Sequence, residues 1–332
     1  MIRFGILGFG LHAVRRLMPG FERAKLCTVT GLWRRDTKKA HQAVKEYNRF
    51  SLRVFESPDA LCSSSEVDAI LVASPDALHL SHVLTAIQHR KPVLCEKPMG
   101  MSSAECEQMI AAADRAGVLL GVAHNFRFNR SAHRLREIVG TGRIGKPILA
   151  RSEFHFITRN SPRTWINDPN LACSGPIGDV GVHCIDALRY ILQDEVSSVY
   201  CQALYEGSTA LEYAATLLLE FQKGISGTIT VSTRGEYRTP LWITGDSGLV
   251  GAEDALTVEH PIELISKPIG GASTLEQVSN ETAYADQVDA FAFSLERNAP
   301  FPVPGGEGLK NQQVLDAAYR SIKSGKRESV SN

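Results

Sequence analysis

The first third of the chain sets short apolar runs between helical stretches. Residues 2–7, 26–32, 53–55, 67–73, 93–95 and 118–123 read as strands. The run at 67–73 is near-continuous rather than alternating, as in sheets covered on both faces. Between the runs, residues 38–47, 78–88 and 103–116 read as helices. Ser57-Pro58-Asp59 looks like an N-cap with proline at the first helical position, Ser102 or Ser103 caps the helix ending at Ala116, and Gly117 closes it. This alternation predicts a right-handed, doubly wound parallel sheet over residues 1–123.

After Asn125-Phe126-Arg127-Phe128 the rhythm changes. A helix at 132–139 and the turn Gly142-Arg143-Ile144-Gly145 precede a strand near 148–156. Residues 158–178 hold Pro162, Trp165, Pro169, Gly175, Pro176 and Gly178 and read as a long ordered loop, a class usually tied to function. A helix opens at Asp179 and runs to about Leu192. Strands follow at 199–204, 213–221, 225–233, 241–244 and 262–266, with turns at Lys223-Gly224 and Asp246-Ser247-Gly248. Strands in succession predict an α+β domain over 124–332 whose sheet is mainly antiparallel, closed by helices at 284–297 and 309–323.

Composition narrows the classes. The 332 residues carry 36 Lys+Arg against 36 Asp+Glu, so neither nucleic acid nor an anionic membrane surface is an expected partner. The most hydrophobic runs, such as 69–73 and 217–219, are too short to span a bilayer, and residues 1–7 lack the pattern of a secretory signal. Seven cysteines (27, 62, 95, 106, 173, 184 and 201), with no CxxC pair, read as buried small hydrophobes in a reducing compartment. The chain is expected to be a cytoplasmic enzyme.

Three features carry candidate chemistry. Gly8-Phe9-Gly10-Leu11-His12-Ala13 is a GxGxxA dinucleotide fingerprint set between strand and helix: Gly8 permits the turn, Gly10 admits a pyrophosphate, and Ala13 lets helix and strand pack. The helix start then offers free N–H groups to the phosphates. At the tip of the second strand, Trp33, Arg34 and Arg35 favour the 2′-phosphate of NADP, whereas NAD would need Asp36 to accept from the ribose. The short strand Val93-Leu94-Cys95 ends in Glu96-Lys97-Pro98, which puts Lys97 at the carboxyl edge where open α/β sheets hold ligands. In a plain helix, Asp179, His183 and Asp186 are i, i+4 and i+7 and share one face, so Asp179 could orient and activate His183 for proton transfer, or the pair could brace the helix start. Cys184 lies off that face and no HxxxH partner exists, so no metal is expected.

These features together resemble the Gfo/Idh/MocA oxidoreductase family, which includes glucose–fructose oxidoreductase and inositol dehydrogenase. The resemblance spans nearly the whole chain through Gly8 to Ala13, Ser74-Pro75 with His79, Glu96-Lys97-Pro98, Gly142 to Gly145 and Asp179 to Asp186. It implies a Rossmann domain and an α+β domain with an open-faced sheet that often makes the oligomer contact, hence a homodimer or homotetramer. It implies that Lys97 orients or protonates the substrate oxygen, and that Asp179 and His183 bind the reacting hydroxyl, with His183 the proton acceptor. Ser74, Pro75, His79, Glu96 and Lys97 would line the cofactor. Asn125 and Arg127 fall where the family crosses between domains, Asn125 toward cofactor and Arg127 toward substrate. Trp165, in the long loop, is a further substrate candidate. The family commonly has three glycines where this chain has Cys173-Ser174-Gly175, so substrate identity does not carry over. The implied activity is NAD(P)-dependent hydride transfer to or from a sugar, polyol or related compound, with NADP preferred. A non-catalytic dinucleotide sensor and an NAD-dependent glycosidase-like relative are the alternatives.

Overall fold

The computed structural model describes residues 1–158 and 161–330; positions 159 and 160, inside the expected 158–178 loop, lie outside the described residues. The chain divides into two compact units. The first comprises Met1–Ala123 with Asn170–Ala172 and Tyr284–Leu309. Its strands β1 (Ile2–Leu7), β2 (Cys27–Trp33), β3 (Arg53–Val54), β4 (Ala69–Val72), β5 (Val93–Cys95) and β6 (Leu120–Val122) form one sheet ordered β3-β2-β1-β4-β5-β6. Every neighbouring pair is parallel. The order reverses between β1 and β4, and such switch points are where doubly wound sheets bind ligands. The apolar runs are buried through: Phe4, Ile6, Leu7 and all of β4 and β5 have no solvent exposure. That burial makes the strands legible as uninterrupted hydrophobic stretches.

The reading of 124–332 as a single second domain needs correction, because residues 284–309 return to the first unit. The helix Ala283–Arg297 carries Phe291 to within 5.9 Å of Phe4 and 5.2 Å of Phe301, ring centre to ring centre. Its Asp289 carboxylate accepts from the backbone N–H groups of Lys25 and Leu26, both at 2.8 Å. Burying aromatic rings and closing two free amides outweighs position in the sequence.

The second unit comprises His124–Pro169, Cys173–Ala283 and the chain from Lys310 onward. Its ten-stranded sheet contains β7 (Pro147–Ile157), β8 (Val196–Leu204), β9 (Ala214–Phe221), β10 (Ser226–Ser232), β11 (Arg234–Arg238), β12 (Leu241–Gly245), β13 (Gly248–Ala252), β14 (Ile262–Pro268), β15 (Thr274–Val278) and β16 (Glu328–Ser329). All pairings are antiparallel except β7 with β10. Residues alternate strictly along β9 and β12, so Leu217, Leu219, Phe221, Leu241 and Ile243 are buried on one face. They share a core with Ile185, Leu188 and Ile191 of the helix Val182–Leu192. The short strands β11, β13, β15 and β16 have no counterpart in the sequence reading. Two glycines in five residues of β13 and charge in β11 mask their period-two pattern. Among the described residues, no helix is long and apolar enough to cross a membrane.

Candidate active site

In the first unit the fingerprint turn closes tightly on its neighbours. Gly8 N–H and Phe9 N–H both donate to the Trp33 carbonyl, at 3.1 and 3.2 Å. Gly8 has φ +88°, and a Cβ there would fall inside the backbone of Ser74, so only glycine fits. Gly10 differs. A Cβ on it would meet nothing nearer than the Gly8 carbonyl at 3.9 Å. The missing side chain therefore serves no contact of the chain itself, and the open space at the start of the following helix suits a pyrophosphate. That helix contains a π turn, Ala13–Leu17, a feature frequent at functional sites and invisible to a 3.6-residue pattern. Phe9 was read as a cofactor contact, but its amide is engaged by Trp33 and its ring is fully buried against Tyr47. Leu11 and His12 remain half-buried at the helix start.

His12 Nε2 lies 2.8 Å from Glu96 Oε1, joining the fingerprint helix to the end of β5. Burial pushes the Glu96 carboxyl up, but the His12 imidazole and neighbouring Lys97 more than offset it, holding the group below its ordinary range. Lys97 follows, half-buried, with its amide donating to Glu96 Oε2 at 3.3 Å. Ser74 and Pro75 stand at the carboxyl end of β4. His79 was expected to line the cofactor. It is 1% exposed, and its ring nitrogens lie 2.9 Å from the Pro98 and Ser74 carbonyls, so it braces the ends of β4 and β5 instead. His82 Nδ1 contacts Ser74 Oγ at 3.0 Å, and burial beside His79 pushes its imidazole down to about 4, which keeps the ring neutral. Trp33 packs edge-on against His82, with ring centres 5.4 Å apart. Arg34 is half-buried and Arg35 exposed, while Asp36 is taken up as the N-cap of the helix Thr37–Glu46, accepting from Lys39 N–H at 3.1 Å.

In the second unit, a π turn (Ile177–Gly181) runs into the helix Val182–Leu192. Asp179 lies within this π turn and His183 in the first turn of the α-helix, and the two carboxylates take different partners, Asp179 meeting Arg163 and Asp186 meeting Arg127. Asp179 Oδ2 accepts from Arg163 Nη2 at 2.8 Å, a partner the spacing did not reveal. Arg163 sits over Trp165 at 5.8 Å, and Trp165 is half-buried in the short turn Thr164–Asn167. Asp179 lines a cleft of about 950 Å³ in which Ser161, Asn167 and Thr233 stand beside apolar Ile157, Ile166 and Leu211, a mixed lining that can take a hydroxylated ligand. His183 is 7% exposed, its ring centre 4.4 Å from Phe126 and 6.1 Å from Phe154. Asn125 is buried, and its Nδ2 has no hydrogen-bond partner among the described residues, a donor left over for a bound group.

Arg127 was read as a substrate contact and needs correction. Its guanidinium is buried, with Nε and Nη2 within 2.8–3.0 Å of Asp186 Oδ1. Asn311 Nδ2 donates to the same oxygen at 2.8 Å. Burial alone would raise Asp186, but His124, Arg127 and Arg189 around it hold the carboxyl far below the usual range. This cluster fixes the helix below the candidate residues. Burial likewise pushes the Cys184 thiol up to about 12, leaving it protonated and no nucleophile.

Residues 2–124 match a family model described as an oxidoreductase family with an NAD-binding Rossmann fold, and residues 132–250 match a GFO/IDH/MocA C-terminal domain. The chain is 39% identical over 273 residues to 1,5-anhydro-D-fructose reductase of Ensifer adhaerens, covering 81% of each. It is 31% identical to myo-inositol 2-dehydrogenase of Thermotoga maritima, covering 82% of each. Its fold superposes with a TM-score of 0.91 on aldose-aldose oxidoreductase of Caulobacter crescentus, at 24% identity and 99% coverage of both chains. The chain belongs to the Gfo/Idh/MocA family and is an NAD(P)-dependent oxidoreductase.

Proposed function

We propose that the substrate is a sugar, a polyol or a sugar derivative, oxidised or reduced at a CH–OH/C=O carbon. The observation that carries this reading is Lys97 at the carboxyl end of β5, in the same sheet whose switch point holds Gly8 and Gly10. Names of two relatives, an anhydrofructose reductase and an inositol dehydrogenase, support the substrate class. A bound nicotinamide cofactor supplies the hydride chemistry. Gly8, Gly10, Leu11, His12, Ser74, Pro75 and Asn125 would hold it. Lys97 holds or protonates the substrate oxygen, His183 takes the hydroxyl proton, and Asp179 binds the hydroxyl and sets the charge beside it. A screen of polyols and sugars at 340 nm with NAD and NADP separately is the direct test; turnover of no compound in either class would refute the reading.

NADP is the preferred cofactor in this proposal. With Asp36 engaged as a helix cap, Arg34 and Arg35 are the charged groups left at the tip of β2. Arg34→Asp is expected to move the preference from NADP toward NAD, read as the ratio of kcat/KM for the two. An unchanged ratio would remove Arg34 from the assignment.

The exposed face of the large sheet supports a homodimer or homotetramer. Leu149 and Leu218 are 52% and 50% exposed there, and Leu149, Trp242, Leu249 and Ile265 border a groove of about 580 Å³. Contiguous apolar surface of this kind marks interaction sites. Leu218→Glu is expected to shift the light-scattering mass toward a single chain; an unchanged mass would place the contact elsewhere.

A further inference from the structure

Glu212 lies outside every motif, yet it meets the helix start that carries Asp179. It is 3% exposed, in the connection between β8 and β9. Its Oε1 accepts from Ile177 N–H at 3.0 Å, and its Oε2 accepts from the Tyr319 hydroxyl at 2.7 Å. The next two amides are also closed: Gly178 N–H donates to Ser174 Oγ at 2.5 Å and Asp179 N–H to the Gly175 carbonyl at 3.1 Å. Leading helix amides have no intrahelical acceptor, and a carboxylate on one of them also meets the positive end of the helix dipole. A Cβ on Gly175 would collide with the Glu212 carbonyl, so backbone and side chain of one residue grip both sides of the turn. Burial pushes the Glu212 carboxyl up, and the bonds from Tyr319 and Ile177 partly offset it. A carboxyl group is not buried this deeply for solubility.

We infer that Glu212, held by Tyr319, is a positioning residue that fixes the π turn presenting Asp179. The inference rests on the roles proposed above for Asp179 and His183. It also accounts for the departure at Cys173-Ser174-Gly175. Ser174 supplies a cap that glycine could not, and Gly175 is kept because Glu212 fills the space beside it.

Hydrogen exchange of the whole chain tests the clamp without a substrate. In Glu212→Ala, exchange of the amides of Ile177 to Asp179 is expected to rise at least about 10-fold, with β1 and β4 unchanged. Turnover of 1,5-anhydro-D-fructose or myo-inositol, whichever the 340 nm screen finds active, is expected to fall about 100-fold in kcat because the group is displaced rather than removed. The KM for cofactor should hold, and Glu212→Gln, which keeps an acceptor for Ile177, should recover most of the loss. Tyr319→Phe gives a milder version of both effects if Glu212→Ala folds poorly. Unchanged exchange at these amides overturns the clamp. Normal kcat in Glu212→Ala with turnover lost in Asp179→Asn refutes the role of Glu212 alone. Normal kcat in both variants refutes the assignment of Asp179, and the positioning role with it.

Discussion

Lys97→Ala is expected to lose about 10²–10⁴-fold in turnover, the range for removing a positioned acid or base, while cofactor still binds. The two readouts separate because they depend on different residues. The cradle proposed for the dinucleotide is built on Gly8, Gly10 and the helix start, whose turn is closed by backbone bonds to Trp33. Lys97 stands two residues past β5, its backbone tied to Glu96, which His12 anchors in turn. Truncation beyond Cβ therefore leaves the strand end in place and removes the methylene stem and its ammonium. His183→Ala should give a loss on the same scale. Its ring, packed against Phe126 and Phe154, has little freedom to be replaced by another group. Stopped-flow turnover beside a nucleotide fluorescence titration checks both. Turnover near wild type in the two variants would sink the proposed mechanism, and loss of cofactor affinity in Lys97→Ala would move that residue into the cradle.

The parts of this site legible in the sequence are those made by neighbours along the chain. Gly8 and Gly10 mark a turn that joins one strand to the next helix, and Val93 to Pro98 is a strand and its end in six residues. Both can be read from order alone. What could not be read depends on residues far apart. Glu212 reaches Ile177 across 35 positions and Tyr319 across 107, and no local pattern marks a glutamate for such a place. Arg127 looked available for substrate because its partner Asp186 is 59 positions away. The two π turns escaped for another reason: one extra residue in a turn barely alters apolar spacing yet rotates everything after it. Hence the identities of Asp179 and His183 were legible while the π turn that carries Asp179 was not. Arg163 lay in the loop already singled out, but nothing distinguished it there from a solvated charge.

Asp186→Asn is expected to destabilise the second unit by about 3–5 kcal/mol at neutral pH, the penalty for breaking a buried ion pair on one side. Asp186 is 2% exposed and accepts from Arg127 and Asn311, with His124 Nδ1 at 3.9 Å and Arg189 Nη1 at 3.9 Å. Asparagine keeps the shape but turns an N–H₂ toward donors, and Arg127 loses the carboxylate that compensates its buried charge. Arg189 is less affected, because Glu195 Oε2 also holds it at 2.6 Å. The pH dependence follows from the sign of the Asp186 shift. Its folded-state affinity for protons is depressed, so the stabilisation is present in full above the unfolded carboxyl pKa of about 3.9 and fades as pH falls below that. The gap between wild type and variant should therefore be widest near neutrality and narrow in acid, where the unfolded chain's carboxylate takes up a proton while the folded group is still ionised. Denaturant midpoints followed through Trp165 and Trp242 fluorescence, at neutral pH and again near pH 3, measure that gap. A loss below about 1 kcal/mol, the scale of an exposed pair, would mean that water reaches the cluster. A gap that stays constant into acid would mean that the charge on Asp186 is not what holds Arg127 in place.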